Sequence, residues 1–244
     1  MNALLFRPCW EVATKYMAFW MRELEPKLKF MGVETAALDG ADCVRANLET
    51  ELNKKPTIAI LGGHGRADLL AGDLNEVVLA ACSNDQLLNG VHSILVSCQT
   101  GKQLGFSIIS KGGAGYVGFN QDLVWIIGEN EDPATEPWHV PLMEAIHAIA
   151  LAYAAAVQRG DPSPAKAAAE AGIAKFDEEI AKWSYSGDPM APEVVHWLIW
   201  DKFALVGLAE GEVVRAAPPV VPLLLAAAGA AAALWYFSRG EKGG

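Results

Sequence analysis

Thr57-Ile58-Ala59-Ile60-Leu61-Gly62-Gly63-His64-Gly65 and His92-Ser93-Ile94-Leu95-Val96-Ser97-Cys98 are the two stretches on which the fold turns. Each contains an apolar run with β-branched residues and without the polar alternation of a half-solvated strand. Such runs suit parallel strands covered on both faces. Each run then gives way to chemically active residues, a histidine among glycines in one and a cysteine followed by Gln99-Thr100-Gly101 in the other. In open α/β sheets, functional groups gather at the carboxyl ends of the strands. The two stretches therefore predict an imidazole and a thiol on one rim of a sheet.

Working outward, the flanking sequence supplies the rest of such a sheet. Leu4-Leu5-Phe6 predicts a first strand, and Trp10 to Met31 a helix with Val12, Tyr16, Phe19, Trp20 and Leu24 at helical spacing. Pro26 marks where that helix kinks or ends. Val33 to Leu38 predicts a second strand closed by Asp39-Gly40, and Asp42 to Lys55 a second helix stopped by Pro56. Beyond Cys98, Gly101 to Ser110 predicts a short helix, broken by Gly112-Gly113, and Gly115 to Phe119 another strand. This rhythm implies an α/β sandwich with a mostly parallel sheet. After Pro133, Pro141 to Arg159 and Ser163 to Trp183 read as helices joined by Gly160-Asp161-Pro162, while His196 to Gly207 suits a helix or a closing strand. The short linkers pack this part onto the sheet rather than setting it apart.

Composition narrows the function. The formal net charge is −10 and no basic stripe occurs, which argues against nucleic acid as a partner. The four cysteines match neither a CxxC metal pattern nor a dense disulfide framework, and the N-terminus does not read as a signal peptide. Reduced thiols in a cytoplasmic domain follow. No cofactor is implied. A zinc site from His64, Cys82, His92 and Cys98 is disfavoured, because His92 begins the strand that Cys98 ends, ~20 Å away. His139, His147 and His196 lie among apolar residues and read as structural. Gly112-Gly113 lacks the GK[ST] of a phosphate loop.

One segment stands apart. Residues 216–237 carry no charge and end in Leu234-Trp235-Tyr236-Phe237, shortly before Arg239. A run of ~20 apolar residues spans a bilayer core, and an aromatic pair beside an arginine suits its interface. The competing reading is a buried C-terminal helix, since the run is rich in alanine and Pro218, Pro219 and Pro222 delay its start. The chain thus divides into a domain over 1–214 and a membrane anchor with a short tail over 215–244.

The chemistry that the two stretches permit is nucleophilic. A thiol attacks as the thiolate and needs a base, and histidine suits that work near neutral pH. Glycines around His64 let a substrate backbone approach and leave backbone N–H groups to point into the site. The amides of Gly65 and Cys98 are the candidate oxyanion donors.

A strand ending in His-Gly, then a strand ending in a small residue and Cys, then a Gly-rich strand, resembles the caspase–gingipain group of cysteine peptidases, which includes the CHAT-type enzymes. The resembling stretch runs from about Thr57 to Trp125, through Leu87-Leu88-Asn89-Gly90, Leu104-Gly105 and Lys111-Gly112-Gly113-Ala114-Gly115. The resemblance implies a caspase-like three-layer sandwich, followed here by the membrane helix. It implies a membrane-tethered endopeptidase with His64 as catalytic histidine, Cys98 as nucleophile and Gly65 as oxyanion donor. Some relatives orient the histidine with an acid, for which Asp39 is the candidate. Gingipain-like enzymes take basic residues through an acidic pocket, for which Asp122, Asp73 and Asp68 are the candidates. The flanks of Cys98 depart from the caspase Gln-Ala-Cys pattern, so aspartate specificity is not implied. Expected partners are a protein or peptide substrate, a membrane through residues 216–237, and an activating protein. The alternatives are a catalytically silent module of the same fold at a membrane, and a membrane-bound sensor of a small ligand at the sheet rim.

Overall fold

The computed structural model describes residues 1–209 and 211–216. The predicted membrane segment, from residue 217 onward, lies outside them. Five strands run parallel: β1 (Asn2–Arg7), β2 (Glu34–Asp39), β3 (Ile58–Gly62), β7 (His92–Val96) and β8 (Gly115–Phe119). Two more close the sheet, β9 (Leu205–Ala209) antiparallel to β8 and β10 (Glu212–Arg215) antiparallel to β9. The seven-stranded order is β10-β9-β8-β7-β3-β1-β2. Between β3 and β7 a small antiparallel sheet intervenes, made of β4 (His64–Gly65), β5 (Leu69–Ala71) and β6 (Val77–Ala80).

The apolar runs are explained by burial on both faces. Ala3, Leu5, Ile58, Ile60, Ile94, Val96, Val117 and Phe119 pack into one core with residues of α1 (Val12–Phe30), α4 (Val140–Arg159) and α5 (Pro164–Ser184). Their alternating neighbours Leu4, Phe6, Ala59, Leu61, Leu95 and Tyr116 pack into a second core with α2 (Arg45–Asn53) and α3 (Leu104–Ser110). The period of two along each strand thus sorts side chains into two apolar layers. Helix α4 is long and apolar enough to cross a bilayer, but over half of its most apolar window is buried inside the protein. It is the central core helix, packed against α1 and α5.

Two local expectations are sharpened. Pro26 does not end α1, which continues to Phe30. The buried face of Trp20, Leu24 and Leu28 on either side of the proline offsets the lost backbone bond. The segment from His196 to Gly207 is both a helix and a strand, with α6 (Ala191–Ala204) running straight into β9. The β4–β6 sheet had no periodic signal, because its strands are too short to show one.

The chain starts in β1, moves out to β2, then crosses back over β1 to β3. The winding direction therefore reverses between β1 and β3, the place where doubly wound sheets open a crevice at their carboxyl ends.

Candidate functional site

Register brings the histidine and the cysteine together. Strands β3 and β7 are parallel neighbours, and Gly62 is level with Val96. His64 and Cys98 each stand two residues beyond that pair, on the same rim. The turns that carry them touch through their backbones. A Cβ on Gly65 would lie 2.2 Å from the carbonyl oxygen of Cys98 and 3.0 Å from its nitrogen. No L side chain fits there, so glycine at 65 is a condition of the site. We expect Gly65→Ala to lower stability by about 1–3 kcal/mol or more. Gly187→Ala, with open space around its Cβ, should stay within ~0.5 kcal/mol. Urea denaturation of the two variants makes the comparison.

The Cys98 turn is braced from below. Tyr116 Oη donates to Thr100 Oγ1 at 3.0 Å, and the Thr100 and Ser97 hydroxyls bond to each other at 3.0 Å. Gln99 takes a positive φ of 59° and its amide donates to the Gln121 carbonyl at 2.9 Å. This fastens the turn to the segment that follows β8. That segment, residues 120–139, runs without regular structure over the rim. Its anchors are the Asn120 amide on the Ala204 carbonyl, at 2.7 Å, and the Val124 amide on Asp201 Oδ1, at 3.0 Å. Leu123 donates its amide to Cys98 Sγ at 3.4 Å.

His64 has a carboxylate partner, and it is Glu11. Glu11 Oε1 lies 3.2 Å from His64 Nε2. Glu11 is also the N-cap of α1, accepting from the amides of Ala13 and Thr14 at 3.0 and 2.7 Å, while Thr14 Oγ1 accepts from the Glu11 amide. Burial by itself would raise the Glu11 pKa. The amides of Thr14 and Ala13, the Thr14 side chain and His64 outweigh it, and the carboxyl is held below its ordinary value. An ionised Glu11 accepts only, so this hydrogen bond is made with the proton on His64 Nε2. Trp10 stands edge-on to the imidazole, ring centres 6.1 Å apart.

Asp39, the acid expected to face His64, is occupied elsewhere. It is level with Arg7 on the neighbouring strand and accepts from Arg7 Nη2 at 2.6 Å and Arg22 Nη2 at 3.4 Å. Strand β2 is the sheet edge, and β1 stands between it and the strand that leads to His64. The register between β1 and β3 instead puts Glu11, four residues beyond Arg7, on the rim beside His64.

A pocket of about 110 Å³ unites the site. His64 and Cys98 both line it, with Ala13 and Met17 of α1 and Leu123 and Trp125 of the crossing segment. Gly63 and Ser97 complete the lining. Asp122, Asp73 and Asp68 do not line it. Asp122 is exposed, its carboxylate accepting from Gln99 Nε2 at 2.8 Å. Asp68 sits exposed in the turn before β5. Asp73 is tied through its amide to the Cys43 carbonyl. Among the described residues, no group of three or more His, Cys, Asp and Glu is placed to hold a metal ion.

Burial pushes the Cys98 thiol above its ordinary pKa. The Leu123 amide opposes this, Asp122 and Asp201 add to it, and the amide of Cys98 itself opposes it least. The resting group is therefore a thiol that needs a base. His139 and His147 hold structure, whereas His196, expected to be structural, is exposed on α6. His139 accepts from Trp20 Nε1 at 2.9 Å and donates to the Pro133 carbonyl at 2.8 Å. His147 donates to the Trp20 carbonyl at 2.7 Å, and burial lowers its pKa to about 4.

Sequence reasoning missed Glu11, Leu123, Trp125 and Asp201. For Glu11 a signal existed: an acid three residues before Thr14, where a helix begins soon after the first strand. The other three are brought in by tertiary packing alone. No protein-family model matches this chain, and no curated protein sequence does.

Proposed function

We propose that the chain is a cysteine endopeptidase of caspase-like architecture that cleaves peptide bonds with Cys98 and His64. The observation that carries this reading is the shared pocket. Two neighbouring parallel strands deliver a thiol and an imidazole to it, and an ionised carboxylate holds the imidazole in one tautomer.

In the reaction, Cys98 Sγ attacks the substrate carbonyl carbon while its proton passes to His64. The tetrahedral oxyanion is held by backbone amides, with Gly65 and Cys98 as the donors. Collapse breaks the C–N bond, and His64 returns the proton to the departing amine. Water, deprotonated by His64, then hydrolyses the thioester. Glu11 stabilises the imidazolium that forms at each stage, in the role a triad carboxylate plays. Activation by proton transfer fits a buried thiol better than a standing thiolate–imidazolium pair. Residues 216–237 tether this domain to a membrane, with the domain on the cytoplasmic side.

The test is covalent labelling with a peptide electrophile. The native chain and Cys82→Ala, which removes an exposed thiol, should label equally, and Cys98→Ala should not label. Equal labelling of the two variants would sink the assignment. A Cys98 that reacts with no peptide electrophile would make the chain a silent module of the same fold.

A further inference from the structure

Given the peptidase reading, the pocket beside Cys98 also specifies its substrate. We infer that the residue whose carbonyl Cys98 attacks bears a small aliphatic side chain rather than a basic one. Size is the first ground. The pocket holds about 110 Å³, less than the ~150 Å³ cavity that takes a benzene ring. A side chain of alanine to leucine size fits, and the larger side chain of arginine does not.

Chemistry is the second ground. Ala13, Met17, Leu123 and Trp125 supply apolar walls, and no carboxylate lines the space. None of the acids nearby lines the pocket. Glu11 is bound to two amides and His64, Asp122 to Gln99, and Asp201 lies buried behind the Val124 amide. A guanidinium or ammonium entering here would lose its water without gaining a counter-charge, which disfavours its binding. The third ground is Leu123 itself, a buried aliphatic residue that lines the pocket while its backbone N–H contacts the sulfur. The protein thus lines the space beside the nucleophile with an aliphatic residue.

The experiment uses the full chain and a set of peptidyl acyloxymethyl ketones that differ only in the residue beside the reactive group: Ala, Val, Leu, Arg, Lys or Asp. The reading is the second-order rate of Cys98 labelling, followed by mass spectrometry. The best aliphatic probe is expected to exceed Arg and Lys by at least ~10-fold, the scale of discrimination by an apolar pocket. Met17→Ala, which enlarges the pocket, should shift the preference toward the larger aliphatic probes. Labelling by Arg or Lys as fast as by the aliphatic set would overturn the inference and leave the peptidase reading standing. If iodoacetamide alkylates Cys98 but none of the six probes does, the peptidase reading falls and this inference with it.

Discussion

His64→Ala is expected to lower peptide hydrolysis about 10²- to 10⁴-fold at neutral pH, the usual worth of a positioned proton acceptor. The reason lies in the state of the thiol. Burial, with Asp122 and Asp201 adding to it, keeps Cys98 protonated above its ordinary range, so the uncatalysed thiolate fraction is small. Under the proposed mechanism the residual rate should climb with pH as Cys98 ionises unaided, whereas the native chain should reach its plateau at lower pH. The imidazole is partly exposed, its side chain 41% accessible, so the variant should fold within ~0.5 kcal/mol of the native chain. Turnover of one peptide across a pH series, beside a urea melt, separates chemistry from folding. Glu11→Gln sharpens the result. The amide oxygen still caps α1, but the charge that stabilises imidazolium is gone, so activity should fall by less than in His64→Ala. A His64→Ala enzyme within tenfold of the native rate would remove His64 from the mechanism.

Asp201→Asn should make the protein more stable at pH 8 and change it little at pH 4. Asp201 is fully buried on α6, with Oδ1 accepting from the Val124 amide at 3.0 Å and Oδ2 without a protein partner among the described residues. Burial raises its pKa well above the ordinary carboxylate value, the Val124 amide opposing only in part. The sign follows from proton counting. Unfolded, the group releases its proton near pH ~3.9, while folded it keeps the proton to higher pH. Between those two pH values the native state binds more protons, and stability falls as pH rises, by up to ~1.4 kcal/mol per unit. Below pH ~4 both states are protonated and nothing is lost. Asparagine keeps a carbonyl oxygen for Val124 and never ionises. Urea midpoints at pH 4 and pH 8 for both proteins decide the matter. Identical pH dependence in the two would place the proton elsewhere.

The parallel sheet was legible because its strands are buried twice. The runs 58–61 and 94–96 are apolar without alternation, and only a strand with a core on each side tolerates that. Once those strands were assigned, the positions of His64 and Cys98 followed from where the runs stop. The acid partner was not legible in the same way. Asp39 closes a strand just as His64 follows one, and linear reasoning treats all strand ends alike. The sheet does not, because β2 is its edge and Arg7 lies in register to claim Asp39. Leu123 and Trp125 lie in a segment with no periodicity at all. They reach the pocket through hydrogen bonds to Cys98, Gln99, Ala204 and Asp201 that join residues far apart in sequence. Sequence patterns report burial by a regular element, and Leu123 is buried in an irregular one.

The two antiparallel strands that close the sheet determine where the polypeptide departs. β9 starts beside Phe119 at the end of the sheet that carries Cys98 and runs away from it, and β10 runs back, bringing Arg215 level with Val206, itself level with Gly118. The chain therefore leaves the domain on the same side as Cys98, three strand spacings from β7, or about 14 Å at ~4.8 Å per spacing. If the proposed anchor begins there, the rim that carries His64 and Cys98 is the side of the domain from which it departs. A membrane on that side would then restrict the proposed peptidase to polypeptide lying along the bilayer surface or emerging from it.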